Sequence, residues 1–167
     1  MLPPKQFHTV KQPRGSKVCA ACVAAMAAGA SLEEVESAMT PTELPDGTHF
    51  YRTAEVLRFL GGRGIYCGLT FDPNSEITED QVSLSFSTEI CLIERPALLC
   101  VRSRKYENAE HYVFWDGERV RDPSPDMPET SPITGYFVIE IVPLTYIDDT
   151  AEIDQEKLLK LVAESAN

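Results

Sequence analysis

The hydrophobic and polar positions of this chain change character about midway along it. In the first part, apolar residues are small or recur at helical spacing. Lys17-Val-Cys-Ala-Ala-Cys-Val-Ala-Ala-Met-Ala-Ala28 predicts a helix, because alanine is the best helix former. Ser16 is its expected N-cap and Gly29 its stop. Ser31-Leu-Glu-Glu34 is a capping-box pattern that opens a short second helix to about Met39. Pro41 and Pro45-Asp46-Gly47 mark a loop. Thr53 to Leu60 places Ala54, Leu57 and Leu60 on one helical face, and Gly61-Gly62 ends it.

The second part reads as strands. Ile65 to Phe71 is one, and the near-continuous apolar run Pro96 to Arg102 is a buried one. Residues 111–122 form a hairpin, and Gly135 to Val142 another strand. Ser87 to Glu94 reads as a short helix before Pro96, while 72–86 carries no pattern. Residues 1–15, rich in Pro, Lys and Gln, are expected to run extended over the surface. Asp148-Asp149 leads to a last helix with Asp154 as N-cap and Leu158, Leu159 and Val162 on one face. Helices first and a mostly antiparallel sheet afterwards is an α+β arrangement. Residues 1–147 form the expected domain, with 148–167 an acidic linker and helix packed on it.

Within the hairpin, Asp116-Gly117 is the preferred dipeptide of a two-residue type I′ turn. That turn pairs Trp115 with Glu118, Phe114 with Arg119, Val113 with Val120, Tyr112 with Arg121 and His111 with Asp122. Tyr112–Arg121 and Phe114–Arg119 become aromatic–cation pairs that hold the register. His111 and Asp122 bring an imidazole and a carboxylate together. A carboxylate on one ring nitrogen fixes the tautomer and leaves the other nitrogen to serve a thiol. His8 and His49 have no such partner placed by local geometry.

Cys19 is the thiol at a helix start, where unpaired amides and the helix dipole favour a thiolate. Alanine-rich helices also carry inert cysteines as packing residues, and Cys22, one turn on, faces the core. Gln12 and the Cys19 amide are the candidate oxyanion donors. Cys19-Ala-Ala-Cys22 could instead be a redox pair, but Lys11-Gln-Pro-Arg-Gly15 before it is no strand. Cys67, Cys91 and Cys100 stand alone, so no metal site and no cofactor are expected.

Composition narrows the classes. The 167 residues suffice for one core, and 43% hydrophobic content is ordinary for a globular chain. No apolar run approaches the roughly 18 residues of a membrane span. A net charge of −11 argues against nucleic-acid binding. Five cysteines fit no closed disulfide set, and the N-terminus lacks a signal-peptide pattern, so a cytoplasmic setting is expected. Nothing fixes the oligomeric state.

Taken together, Gln12, the Cys19/Cys22 alanine-rich helix with Ala24 and Met26, and His111-Tyr-Val with Asp122-Pro123 resemble papain-like cysteine peptidases. The likeness is greatest to the bacteriocin-leader-cleaving (double-glycine) branch. It spans roughly residues 12–142. That branch usually has Asp before the nucleophile, Gly after it, and Gln six residues upstream. Here Val18 and Ala20 flank Cys19, and Gln12 lies seven residues before it. The resemblance implies a helical half carrying Cys19 packed on an antiparallel sheet carrying His111 and Asp122. It implies hydrolysis of an amide, isopeptide or thioester bond in a peptide or protein substrate. The other reading is an inactive relative whose cleft grips a peptide or partner protein.

Overall fold

The computed structural model describes residues 6–68 and 95–147. The far end of the strand expected over 65–71, the region 72–86, the helix expected over 87–94, Cys91 and the whole of 148–167 lie outside the described residues.

Helix α1 spans Cys19–Ala28, and all nine residues from Ala20 to Ala28 are buried. A helix apolar all round survives only when covered on every side. Here α2 (Leu32–Ala38), α3 (Thr53–Gly61) and the sheet supply that cover. Alanine permits it, because methyl-sized side chains let neighbouring backbones approach closely. The capping box of α2 forms as expected. The Ser31 amide donates to Glu34 Oε2 at 2.9 Å, and the Glu34 amide to Ser31 Oγ at 3.2 Å. A two-stranded ribbon, β1 (Thr42–Glu43) with β2 (His49–Phe50), joins α2 to α3.

The remaining strands are β3 (Ile65–Cys67), β4 (Ala97–Arg102), β5 (Glu110–Trp115), β6 (Val120–Arg121) and β7 (Val138–Tyr146). They form one antiparallel sheet in the order β3-β7-β4-β5-β6. Period-two alternation splits the core. Ile65, Leu98, Phe114, Val142 and Leu144 pack against the helices. Leu99, Val101, Val113, Trp115, Val120 and Ile141 form a second cluster on the far face, covered by Ile133 and Tyr136. The strand expected from Gly135 starts later, at Val138, because residues 133–135 form a 3-10 turn that brings Ile133 into this cluster.

The hairpin register differs from the sequence expectation. Trp115 pairs with Val120 and Phe114 with Arg121, so the loop holds four residues rather than two. Asp116 is the cause. Its Oδ1 accepts the amides of Glu118 and Arg119 at 3.0 and 2.7 Å, and its Oδ2 takes Arg121 Nε at 2.7 Å. These side-chain bonds satisfy the loop amides that a tighter turn would leave differently placed. Gly117, at φ 100°, supplies the left-handed residue. The expected aromatic–cation pairs do not form. Phe114 meets Phe7 edge to face at 4.9 Å, and the Tyr112 hydroxyl bonds Thr53 Oγ1 at 2.6 Å.

The shift moves every partner by two positions, and an even slip preserves the face each side chain occupies. His111 and Asp122 therefore stay on one side of the ribbon, diagonal rather than opposed.

The tight cover of α1 carries a stability prediction. Ala24→Leu, at a wholly buried position, should cost about 1–3 kcal/mol by overpacking. Leu57→Ala, on the exposed side of α3, should change stability by no more than ~0.5 kcal/mol. Urea unfolding followed by circular dichroism measures both.

Candidate active site

The site lies where the start of α1 meets the sheet. Cys19 is the first residue of the helix, after an N-cap at Val18 that makes no side-chain cap bond. Ser16, the expected cap, instead donates its hydroxyl to the Pro13 carbonyl at 2.8 Å, closing a turn over 13–16. The first-turn amides thus keep no side-chain acceptor, which suits an anionic sulfur beside them.

Cys19 is half-buried. Burial on its own would push the thiol up. The His111 hydrogen bond and charge, with the main-chain amides of Tyr112 and Ala20, outweigh burial and hold the thiol below its usual range. Cys22 shows the opposite balance. It is wholly buried, and burial with the nearby Cys19 and Glu36 pushes its thiol up to about 12. It supplies no thiolate near neutral pH. Cys19, Cys22, Cys67 and Cys100 are all free.

His111 Nε2 donates to Asp122 Oδ1 at 2.8 Å. That leaves Nδ1 as the ring nitrogen available to Cys19. Burial would lower the imidazole, but the Asp122 hydrogen bond and the Cys19 partner raise it to about 9. Asp122 is only 3% exposed. Burial opposes its charge, yet His111 and Ser124 hold the carboxyl down at about 2.

Two residues not among the sequence candidates complete this arrangement. The Ser124 amide donates to Asp122 Oδ1 at 2.8 Å, and its hydroxyl lies 3.2 Å from His111 Nε2. Tyr136 donates its hydroxyl to Asp122 Oδ2 at 3.0 Å. Asp-Pro-Ser is itself a turn signal that could have pointed to Ser124. Nothing local marks Tyr136, which arrives from the far face of the sheet.

Gln12 is placed by its main chain, whose amide donates to the Pro123 carbonyl at 2.8 Å. Its Oε1 is buried without a hydrogen-bond partner. Of the four residues singled out from the sequence, Cys19, His111 and Asp122 thus come together, His111 bonded to Asp122 and acting on the Cys19 sulfur. Gln12 adjoins the Asp122 loop, with no side-chain bond to the other three. His8 and His49 stay outside it; His49 Nε2 sits 3.5 Å from Glu36. Among the described residues, no group of three or more His, Cys, Asp or Glu side chains is arranged to hold a metal ion.

No protein-family model and no curated protein sequence matches the chain. A solved structure does, that of a double glycine motif protease from an AMS/PCAT transporter in complex with the leader peptide. The superposition has a TM-score of 0.55 and covers 88% of this chain and 99% of that one, at 14% identity. This α+β chain therefore carries the papain-like fold of the double-glycine cysteine peptidases.

Proposed function

We propose that the chain is a cysteine peptidase that hydrolyses an amide bond in a peptide substrate through Cys19, His111 and Asp122. The observation that carries this reading is the 2.8 Å bond from His111 to the buried Asp122 carboxylate, with the same imidazole acting on the Cys19 sulfur. A peptide substrate is supported by the solved relative, which holds a leader peptide.

The chemistry follows from the charge state. Cys19 is held below its usual range and His111 is raised to about 9, and both directions favour a thiolate–imidazolium pair. The sulfur attacks the scissile carbonyl. The oxyanion that develops lies beside the first-turn amides of α1, with the Gln12 side-chain amide as second donor. His111 then gives its proton to the leaving amine and the C–N bond breaks. Water, deprotonated by His111, attacks the resulting thioester and frees the acid and the thiolate. Asp122 keeps its charge throughout. It holds the ring so that Nδ1 faces the sulfur, and Tyr136 and Ser124 hold Asp122.

The test is turnover of a quenched-fluorescent peptide library. Wild-type protein should cleave members of it, and Cys19→Ala should cleave none. Peptides bound equally by both proteins and cut by neither would overturn the reading and leave a binding module.

The pH dependence has a definite sign. Activity should rise as pH climbs through the lowered Cys19 pKa and fall as it passes His111 at about 9. Stability carried by the raised His111 is complete below its unfolded value of ~6.5 and is lost as pH rises through about 9. Iodoacetamide alkylation of Cys19 against pH should show a midpoint below ~8.5, rising to that value or above it in His111→Ala, where burial is no longer outweighed.

Asp122→Asn removes the charge but keeps the shape. The His111 titration, read by imidazole NMR, should fall from about 9 toward ~6.5. Peptide turnover should drop by roughly 10²–10⁴-fold, the range for a misoriented general acid–base group.

A further inference from the structure

Residues 9–14 form a strap laid along residues 121–129, the end of β6 and the loop that follows it. Arg121 Nη1 donates to Thr9 Oγ1 at 3.3 Å, and the Gln12 amide bonds Pro123. Arg14 pairs with Asp126 at 2.6 Å, both largely exposed. Between these sits Lys11. Its Nζ donates to four main-chain carbonyls, Asp122 at 2.9 Å, Ser124 at 3.2 Å, Met127 at 2.8 Å and Pro128 at 3.2 Å.

An ammonium has three N–H groups, so four acceptors saturate it, one bond being shared. Among the described residues Lys11 has no carboxylate partner. Its charge is met entirely by carbonyl dipoles converging from one loop. Such convergence needs a compact, freely rotating donor, which lysine is and arginine is not. Two of those carbonyls belong to Asp122 and Ser124, the residues that hold His111. The next residue along the strap is Gln12.

We propose that Lys11 is a positioning residue for the site, its ammonium clamping the 122–128 loop so that Asp122 and Ser124 are held against His111 while Gln12 is fixed beside them. This rests on the triad reading above. Lys11 touches no reacting atom. It acts through the loop, because its contacts are to main-chain oxygens and not to the carboxylate that His111 uses. The exposed Arg14–Asp126 pair joins the same two segments, but screening by water leaves such a pair little weight.

The experiment compares wild type with Lys11→Met, Lys11→Arg and Arg14→Met. Each is checked for folding by circular dichroism. The readouts are Cys19 alkylation by iodoacetamide from pH 4 to 10 and the His111 imidazole titration by NMR. In wild type the alkylation midpoint should lie below ~8.5. Lys11→Met should move it toward that value, slow alkylation at pH 6 by about tenfold or more, and lower the His111 titration. Lys11→Arg should fall between, since charge remains and convergence is lost. Arg14→Met should superimpose on wild type. A displaced wild-type profile that Lys11→Met reproduces, even with a lower melting temperature, would overturn the role of Lys11 and leave the triad standing. An ordinary wild-type profile would overturn the triad and this role with it. Should Lys11→Met not fold, Lys11→Arg decides: superposition on wild type overturns the role, an intermediate profile supports it.

Discussion

The buried bond between Asp122 and His111 is the constraint on which the site is built. A carboxylate at 3% exposure loses most of its hydration, and an uncompensated charge there would be costly. It stays ionised because donors reach it from separate parts of the chain. His111 comes from β5, Ser124 from the loop after β6, and Tyr136 from the turn covering the far face of the sheet. Each donor is itself placed by the packing of its own element. Loosening any one would raise the Asp122 carboxyl, weaken its hold on His111, and so release the thiol at Cys19.

The other side of the site is set by an absence of competition. Most helix starts satisfy their amides with a Ser, Thr, Asp or Asn side chain. The start of α1 has Val18 there, and Ser16 is turned back to Pro13. An anion is left as the natural partner of those amides, and the sulfur stands among them. The same helix hides its second cysteine completely. Two thiols three residues apart thus acquire opposite chemistry, one lowered by donors and one raised by burial.

Much of this was legible in the residues. The alanine run, the Ser31–Glu34 box, the double glycine after α3 and the apolar stretch of β4 each mark an element by local rules, and each element formed. A two-residue turn at Asp116-Gly117 puts His111 and Asp122 together in the wrong register but with the right parity. The dipeptide Asp116-Gly117 suits two turn types, and local preference could not tell that Arg121 would capture the Asp116 carboxylate. Sheet periodicity forgives an even error, so the pair survived it. What stayed hidden is what comes from afar: Tyr136 and the carbonyl cage around Lys11 depend on segments more than ten residues away in sequence. No periodicity encodes such meetings.

The spacing of Gln12 illustrates how a fold absorbs a local departure. One residue more separates it from the cysteine than is usual in the branch this chain resembles. Left to run extended, the extra residue would displace Gln12 by up to ~3.5 Å. The turn over 13–16 takes up the slack instead, closed by two bonds from Ser16 to the Pro13 carbonyl and permitted by Gly15 at φ 79°. Chain length between the two residues then ceases to decide where Gln12 stands. Its amide bond to Pro123 decides it, so the strap is registered on the loop carrying Asp122 and not on the helix carrying Cys19.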